Sequence, residues 1–325
     1  MAGECGVTYN DILSAHNRIC NLIHKTPVFT SEQADLKTGR RIFFKAENLQ
    51  KSGSFKARGA INAVFKVKET KAALDAVVTH SSGNHGQALA WASRVAGVQC
   101  YVVVPKMAPA VKKNAIVGYG ASLVECGLEP VDRYNTCEKI QEEKKAEFIP
   151  PYDHVDVIAG QGTIAVEFLE QVPNLDAILV PISGGGMSSG IAIAAKAIKP
   201  DIKIFLVTPK GKKLEECLRS GKRPWEGPPK YLDTIADGIR LQQTGQITTP
   251  ILIDLAEKDV FEMSDEEMVQ GMKFSFERMK LVIEAASGAA VGAAFSDKMR
   301  RMDSSLRNIG VILCGGNVDI DDLPW

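Results

Sequence analysis

Three things are missing from this chain: cysteine pairs, an excess of charge of either sign, and an unbroken hydrophobic span. The seven cysteines are odd in number and scattered, with no C-x-x-C pair. That excludes a disulfide framework and a cysteine zinc site, and it points to a reducing, cytoplasmic setting. Thirty-nine basic residues balance thirty-nine acidic ones, which excludes nucleic-acid or membrane-surface binding driven by bulk electrostatics. One uncharged run, 177–195, has the length of a membrane span. It contains Pro181, Ser183 and three consecutive glycines, so it reads as strand, loop and buried helix. The opening residues Met1-Ala2-Gly3-Glu4-Cys5 offer no basic or apolar region of a signal peptide. No internal repeat or low-complexity tract occurs.

What is present is an ordinary globular composition, 45% hydrophobic and 24% charged over 325 residues, long enough for a large core and two lobes. Thr8-x-x-Asp11 resembles a capping box, after which Ile12, Ala15, Ile19, Leu22 and Ile23 recur at helical spacing. Short β-rich runs then alternate with helical stretches. The runs are Arg41-Ile42-Phe43-Phe44-Lys45, Ala76-Val77-Val78-Thr79, Cys100-Tyr101-Val102-Val103-Val104, Ser122-Leu123-Val124, Ala177-Ile178-Leu179-Val180, Lys203-Ile204-Phe205-Leu206-Val207 and Ile309-Gly310-Val311-Ile312-Leu313. Their continuous apolar character suits strands buried on both faces, hence an α/β protein with mostly parallel sheets. Pro150-Pro151, after the charged stretch 138–147, marks a lobe boundary, and the basic, proline-rich segment 210–230 reads as a surface excursion.

Four motifs fall at strand ends, where ligands of open parallel sheets collect. The first, Ser52-Gly53-Ser54-Phe55-Lys56-Ala57-Arg58-Gly59, sets a lysine among small residues that let a planar ligand approach, a placement suited to imine chemistry. The second, His80-Ser81-Ser82-Gly83-Asn84-His85-Gly86-Gln87, lies between strand and helix; Ser81 and Ser82 can cap that helix, and its free N–H groups can hold a carboxylate. The third, Ser183-Gly184-Gly185-Gly186-Met187, can cradle a phosphate on backbone N–H groups at a helix start. A dinucleotide fingerprint is not matched, because the next glycine is Gly190 and the following strand ends in Val207-Thr208 rather than an acid. The fourth is Cys314-Gly315-Gly316-Asn317 after the last strand.

Together with Lys112-Lys113, Tyr119-Gly120-Ala121-Ser122, Ala159-Gly160-Gln161-Gly162-Thr163, Ile235-Ala236-Asp237-Gly238 and Glu277-Arg278-Met279-Lys280, these motifs resemble the serine racemase and serine/threonine dehydratase family. Its members are fold type II, tryptophan-synthase-like enzymes dependent on pyridoxal phosphate. The likeness is stronger to the racemases. It implies a large cofactor-binding domain of residues 1–76 and 152–325, and a small mobile domain of residues 77–151.

The same resemblance implies roles. Lys56 would carry the cofactor and act as base on one face of the substrate Cα, with Ser82 as acid/base on the other. Phe55, Asn84, Gly238 and Glu284 would line the cofactor, with Asn84 on its ring oxygen. Ser183, Gly184, Gly185, Gly186 and Met187 would hold its phosphate. Cys314 would face the ring nitrogen, a position where racemases usually have serine and some dehydratases cysteine. Ser81, Ser82, Asn84, His85 and Arg133 would contact an amino-acid substrate. Alone, Arg133 reads as a solvated helix charge and His85 as structural.

The implied activity is racemisation of serine with accompanying β-elimination, in a cytoplasmic homodimer. Aspartate racemisation or 3-hydroxyaspartate dehydration is the alternative, for which Arg240 and Lys210 are candidate contacts to a second carboxylate. A non-catalytic amino-acid sensor is an alternative of another class, disfavoured because a sensor needs no Ser82 proton donor. A nucleotide effector is hinted at by Gln87, Lys112 and Tyr119. The family's divalent-cation loop corresponds to 208–214, but its acidic positions hold Thr208 and Leu214 around Lys210-Gly211-Lys212-Lys213. A hard cation needs oxygen ligands, so no metal is expected, and a lysine ammonium takes over part of the ion's structural role.

Overall fold

The computed structural model describes residues 6–71 and 73–325; the stretch Met1-Ala2-Gly3-Glu4-Cys5 lies outside them. Ten strands are described: β1 (Val28–Thr30), β2 (Arg41–Lys45), β3 (Ala76–His80), β4 (Gln99–Pro105), β5 (Ser122–Cys126), β6 (Glu147–Phe148), β7 (Ala177–Pro181), β8 (Lys203–Pro209), β9 (Phe261–Met263) and β10 (Asn308–Ile312). They form two sheets, one in each lobe. A six-stranded sheet has the order β1-β2-β10-β7-β8-β9, and a four-stranded sheet the order β5-β4-β3-β6. Every pairing is parallel except β1 with β2. All seven apolar runs are strands. The short β1, β6 and β9 have too few residues to show a period of two, and their partners rather than their composition place them.

Helices cover both sheets. In the larger lobe, helix Val155–Gln171 packs on helices Lys56–Thr70 and Gly186–Ile198. The approach is close enough that a Cβ at Gly190 would lie 2.4 Å from the Ile158 carbonyl oxygen. Helix Ala285–Phe295 is buried at every position, as an alanine-rich helix with no polar face must be. The 177–195 run resolves into β7, a glycine turn and the start of helix Gly186–Ile198. Among the described residues no helix is long and apolar enough to cross a membrane.

The first helix, Tyr9–Ile19, opens on the expected capping box: Thr8 Oγ1 accepts from Asp11 N and Asp11 reaches back to Thr8 N. It stops at Ile19, so Leu22 and Ile23 follow in a turn, where they still pack against the small-lobe core. Two readings are corrected. Ser81 and Ser82 do not cap helix Asn84–Ala96; Gly83 is its N-cap, with no side-chain hydrogen bond. The 210–230 segment lies on the surface for most of its length, but it is not merely an excursion. Leu214, Cys217, Leu218 and Trp225 from this segment join Ile182, Leu206 and Leu252 in a core of their own, because the Trp225 indole turns inward to donate to the Lys212 carbonyl at 3.0 Å.

Candidate active site

Because β2, β7 and β10 run parallel in one sheet, the loops that follow them open on the same edge, and the loop after β3 faces them from the other sheet. The loops after β2 and β10 are stitched together. Ser54 bridges Gly315, Phe55 N donates to Cys314 O at 3.0 Å, and Gly316 N to Gly53 O at 2.9 Å. Gly53 has φ +70°, and a Cβ there would lie 2.5 Å from Asn317 Oδ1. This stitching sets Lys56 at the first turn of helix Lys56–Thr70.

The Lys56 amine donates to the Pro151 carbonyl at 2.5 Å and stands 5.1 Å from the Phe55 ring centre. Loss of hydration pulls it down to about 8, against the opposing pull of Cys314 and Glu284. An amine that gives up its proton near neutral pH suits a base and a nucleophile.

Behind it, Arg58 is fully buried. Its guanidinium donates to Glu47 at 2.7 and 2.8 Å and to Glu167 at 2.7 and 2.9 Å. Lys45 adds a bond of 2.9 Å to Glu167. Two cations and two anions balance, and this network anchors the turn that carries Lys56.

Asn84, at the start of the helix after β3, donates to both oxygens of Glu284, at 3.1 and 2.9 Å, and accepts from Asn317 Nδ2 at 2.8 Å. Burial pushes the Glu284 carboxyl up to about 7, with Asn84 opposing. Cys314 Sγ lies 3.9 Å from Glu284 Oε1 and 3.4 Å from Ser287 Oγ. Burial raises its thiol further, so the group presented here is neutral.

After β7, Gly184, Gly185 and Gly186 lead into a helix with no side-chain cap. A Cβ at Gly184 would lie 2.3 Å from the Tyr152 ring, and one at Gly186 2.8 Å from the Tyr152 carbonyl oxygen. Thr248 Oγ1 and Gly245 N both donate to the Gly184 carbonyl, at 2.6 and 3.0 Å. Asp153 accepts from the backbone of Gln246, Ile247 and Thr248, at 2.8, 2.9 and 3.3 Å. The result is a turn that only glycine fits, with uncapped N–H groups at a helix N-terminus, which suits a phosphate. A lysine of lowered basicity, a neutral thiol and a phosphate cradle at one sheet edge fit pyridoxal phosphate.

Comparison with known proteins agrees. Residues 19–315 match the family described as pyridoxal-phosphate dependent enzyme.

The chain belongs to this family.

It is 44% identical to the serine racemase of Dictyostelium discoideum over 318 residues, 98% of this chain and 97% of the relative. It is 42% identical to the L-threo-3-hydroxyaspartate ammonia-lyase of Saccharomyces cerevisiae, covering 96% of this chain and 94% of the relative. A crystal structure of a pyridoxal 5'-phosphate-dependent aspartate racemase superposes with a TM-score of 0.96 at 54% identity, covering 98% of both chains. The protein is a pyridoxal-phosphate dependent enzyme of fold type II, akin to racemases and ammonia-lyases.

The remaining residues fall around this enzyme's cleft in different ways. His85 Nε2 lies 2.9 Å from the Ile149 carbonyl, and its buried Nδ1 has no partner among the described residues. Burial pulls the ring down to about 3, so it is neutral. Arg133 Nη1 reaches Tyr231 Oη at 3.4 Å, while its buried Nε has no partner among the described residues. Gly238 sits in an exposed turn, where a Cβ would lie 3.2 Å from Glu284 Oε1. Lys210 and Arg240 are exposed, and Arg240 stacks 4.9 Å from the Tyr231 ring centre. Lys112 forms an ion pair with Asp237 across the lobes, while Gln87 is buried.

The metal expected of the family does not fit loop 208–214. Lys212 fills its interior, and its Nζ donates to the Leu241 carbonyl. The neighbouring Glu215 is spent on Val260 N at 3.1 Å and Arg219 Nε at 3.0 Å. Tyr152, Asp153, Ser287 and Thr248 escape the sequence reading. Pro150-Pro151 masks the first two as a boundary, and nothing local to Ser287 or Thr248 betrays their distant partners.

Proposed function

We propose that this enzyme is a serine racemase with accompanying serine β-elimination, acting as a cytoplasmic homodimer. The observation that carries the reading is the buried Lys56 amine, pulled down to about 8; the Ser81 and Ser82 hydroxyls, not spent on capping the helix that follows them, support it. Full-length similarity to serine racemases supports it. Pyridoxal phosphate, when bound, supplies the electron withdrawal that acidifies the substrate Cα–H.

This chain's residues do the rest. Lys56 takes the Cα proton on one face, and Ser82 delivers or removes one on the other. Asn84, held by Glu284 and Asn317, would help hold the cofactor together with Phe55 and Gly238. Cys314 would offer the cofactor a neutral thiol, so more of the charge stabilisation would fall to the protein. Residues 183–187 would hold the cofactor phosphate. Ser81, the helix start at Asn84, His85 and Arg133 receive the amino acid. Residues 77–151 form the small domain that closes over it, residues 1–76 and 152–325 the large one. A nucleotide effector would engage Lys112, in competition with Asp237.

A second reading, aspartate racemisation, is favoured by the Arg133 guanidinium, which has no carboxylate partner among the described residues, and by the aspartate racemase structure at 54% identity. Chiral product analysis of the holoenzyme with L-serine, L-aspartate, L-threonine and 3-hydroxyaspartate decides between them. D-serine and pyruvate formation well above D-aspartate formation is expected.

Ser82→Ala should cut interconversion of enantiomers by roughly 10²-fold or more, the usual worth of a positioned acid–base group. Elimination from the L-enantiomer should survive, because that proton faces Lys56. Racemisation at the wild-type rate would remove Ser82 from the mechanism.

Loop 208–214 holds no divalent cation in this reading. Adding a chelator to metal-freed protein should leave turnover and melting temperature unchanged, whereas a loss restored by magnesium would reveal ligands elsewhere.

A further inference from the structure

Lys212 is fully buried, yet no carboxylate among the described residues pairs with it. A buried ammonium is costly, and a methionine would fill the same space without that cost. Burial without a facing carboxylate pulls the amine down to about 7. An amine buried there, charged or not, must spend an N–H on an acceptor, and the acceptor it chooses is thereby fixed.

Its acceptor, the Leu241 carbonyl, begins a segment that runs directly onto the glycine turn. Gln242 Nε2 donates back to the Gly211 carbonyl at 3.4 Å. Arg223 fixes the Gln243 side chain at 2.8 Å and the Thr244 carbonyl at 3.3 Å. Gly245 N then donates to Gly184 O at 3.0 Å, beside the 2.6 Å bond from Thr248 Oγ1. On the other side, the Lys212 carbonyl is held by Trp225 Nε1 at 3.0 Å, and Lys213 turns away at φ +58°. The ammonium is thus clamped between β8's loop and a strap that ends on the phosphate cradle.

We propose that Lys212 is a positioning residue for the cofactor phosphate: its ammonium does within the chain what a bound cation could do, fixing the Leu241 carbonyl and through residues 241–245 the Gly184 turn. This rests on reading 183–187 as the phosphate cradle. Charge-assisted hydrogen bonds are about twice as strong as neutral ones, so a neutral isostere should loosen the strap while leaving the packing filled.

The test compares wild-type and Lys212→Met holoenzymes by the ³¹P resonance of the bound phosphate and by cofactor dissociation into a scavenger, followed by visible absorbance. The expected result is a shifted or broadened resonance and dissociation faster by about tenfold or more. Lys212→Ala should behave likewise, and ethylammonium, but not tetramethylammonium at equal ionic strength, should restore slow dissociation. Wild-type resonance and dissociation in Lys212→Met would overturn the proposal, as would the absence of selective rescue in Lys212→Ala. Failure of both variants to fold with saturating cofactor and ethylammonium would also overturn it, by assigning Lys212 to the core alone. If wild-type protein itself shows no bound phosphate resonance, it is the cradle reading that fails.

Discussion

Lys56→Ala should lose the visible absorbance of the lysine-bound cofactor and at least about 10⁴-fold in turnover. Intramolecular placement of a reacting group is worth effective molarities of about 10⁵ M or more, and a base supplied by solvent cannot replace it. Two other buried lysines among the described residues are not free to substitute. Lys45 is fully buried against Glu167, and Lys212 is committed to the Leu241 carbonyl. The variant should still fold, because the Lys56 side chain makes one hydrogen bond, to Pro151 O, and anchors no core. Absorbance spectra and keto-acid release measure both losses; a variant that stays yellow through a covalent link and turns over would remove Lys56 from the chemistry.

Arg58→Met should cost about 3–5 kcal/mol of stability, the penalty for leaving buried charges without their partner. Glu47 and Glu167 are 0% and 2% exposed and would face each other with only Lys45 to compensate. For the arginine itself burial works against the charge, but Glu47 and Glu167 outweigh it and hold its pKa above the usual range. Burial likewise opposes ionisation of Glu167, but the bonds and charge of Arg58, with Lys45, win and keep that carboxyl below its usual range. A carboxylate depressed in the folded state contributes stability that is complete above its unfolded pKa and is lost as pH falls through the folded one. The wild type should therefore lose this contribution in acid, and Arg58→Met should show a flatter acid limb as well as a lower midpoint in denaturant. Adding Glu47→Gln should recover part of the loss. An Arg58→Met midpoint within about 1 kcal/mol of wild type would mean that the network repacks without its arginine.

Local chemistry made much of the frame legible. The apolar runs are long enough and apolar enough to announce buried strands, and the Thr8-x-x-Asp11 cap closes within one turn of helix. The glycine turn 184–186 is equally local in cause, since a close approach to backbone leaves no room for Cβ. Each of these follows from the residues' own neighbours in sequence.

What the sequence could not express is pairing at a distance. Ser81 and Ser82 look like caps, yet Gly83 takes that place, because the helix start is set by where Asn84 meets Glu284, 200 residues away. The 210–230 segment looks solvated by composition, but Trp225 and Lys212 turn inward to each other and to Leu241. Arg58 reads as one more motif residue until Glu47 and Glu167 close around it. By itself the sequence determined the seven strands that match its apolar runs, the lysine turn and the glycine turn, since propensity and steric fit act over a few residues. Only the tertiary structure decided which carboxylate meets which cation and which carbonyl a buried amine must satisfy. Those partners come from separate elements, and burial makes an unpaired polar group too costly to leave alone.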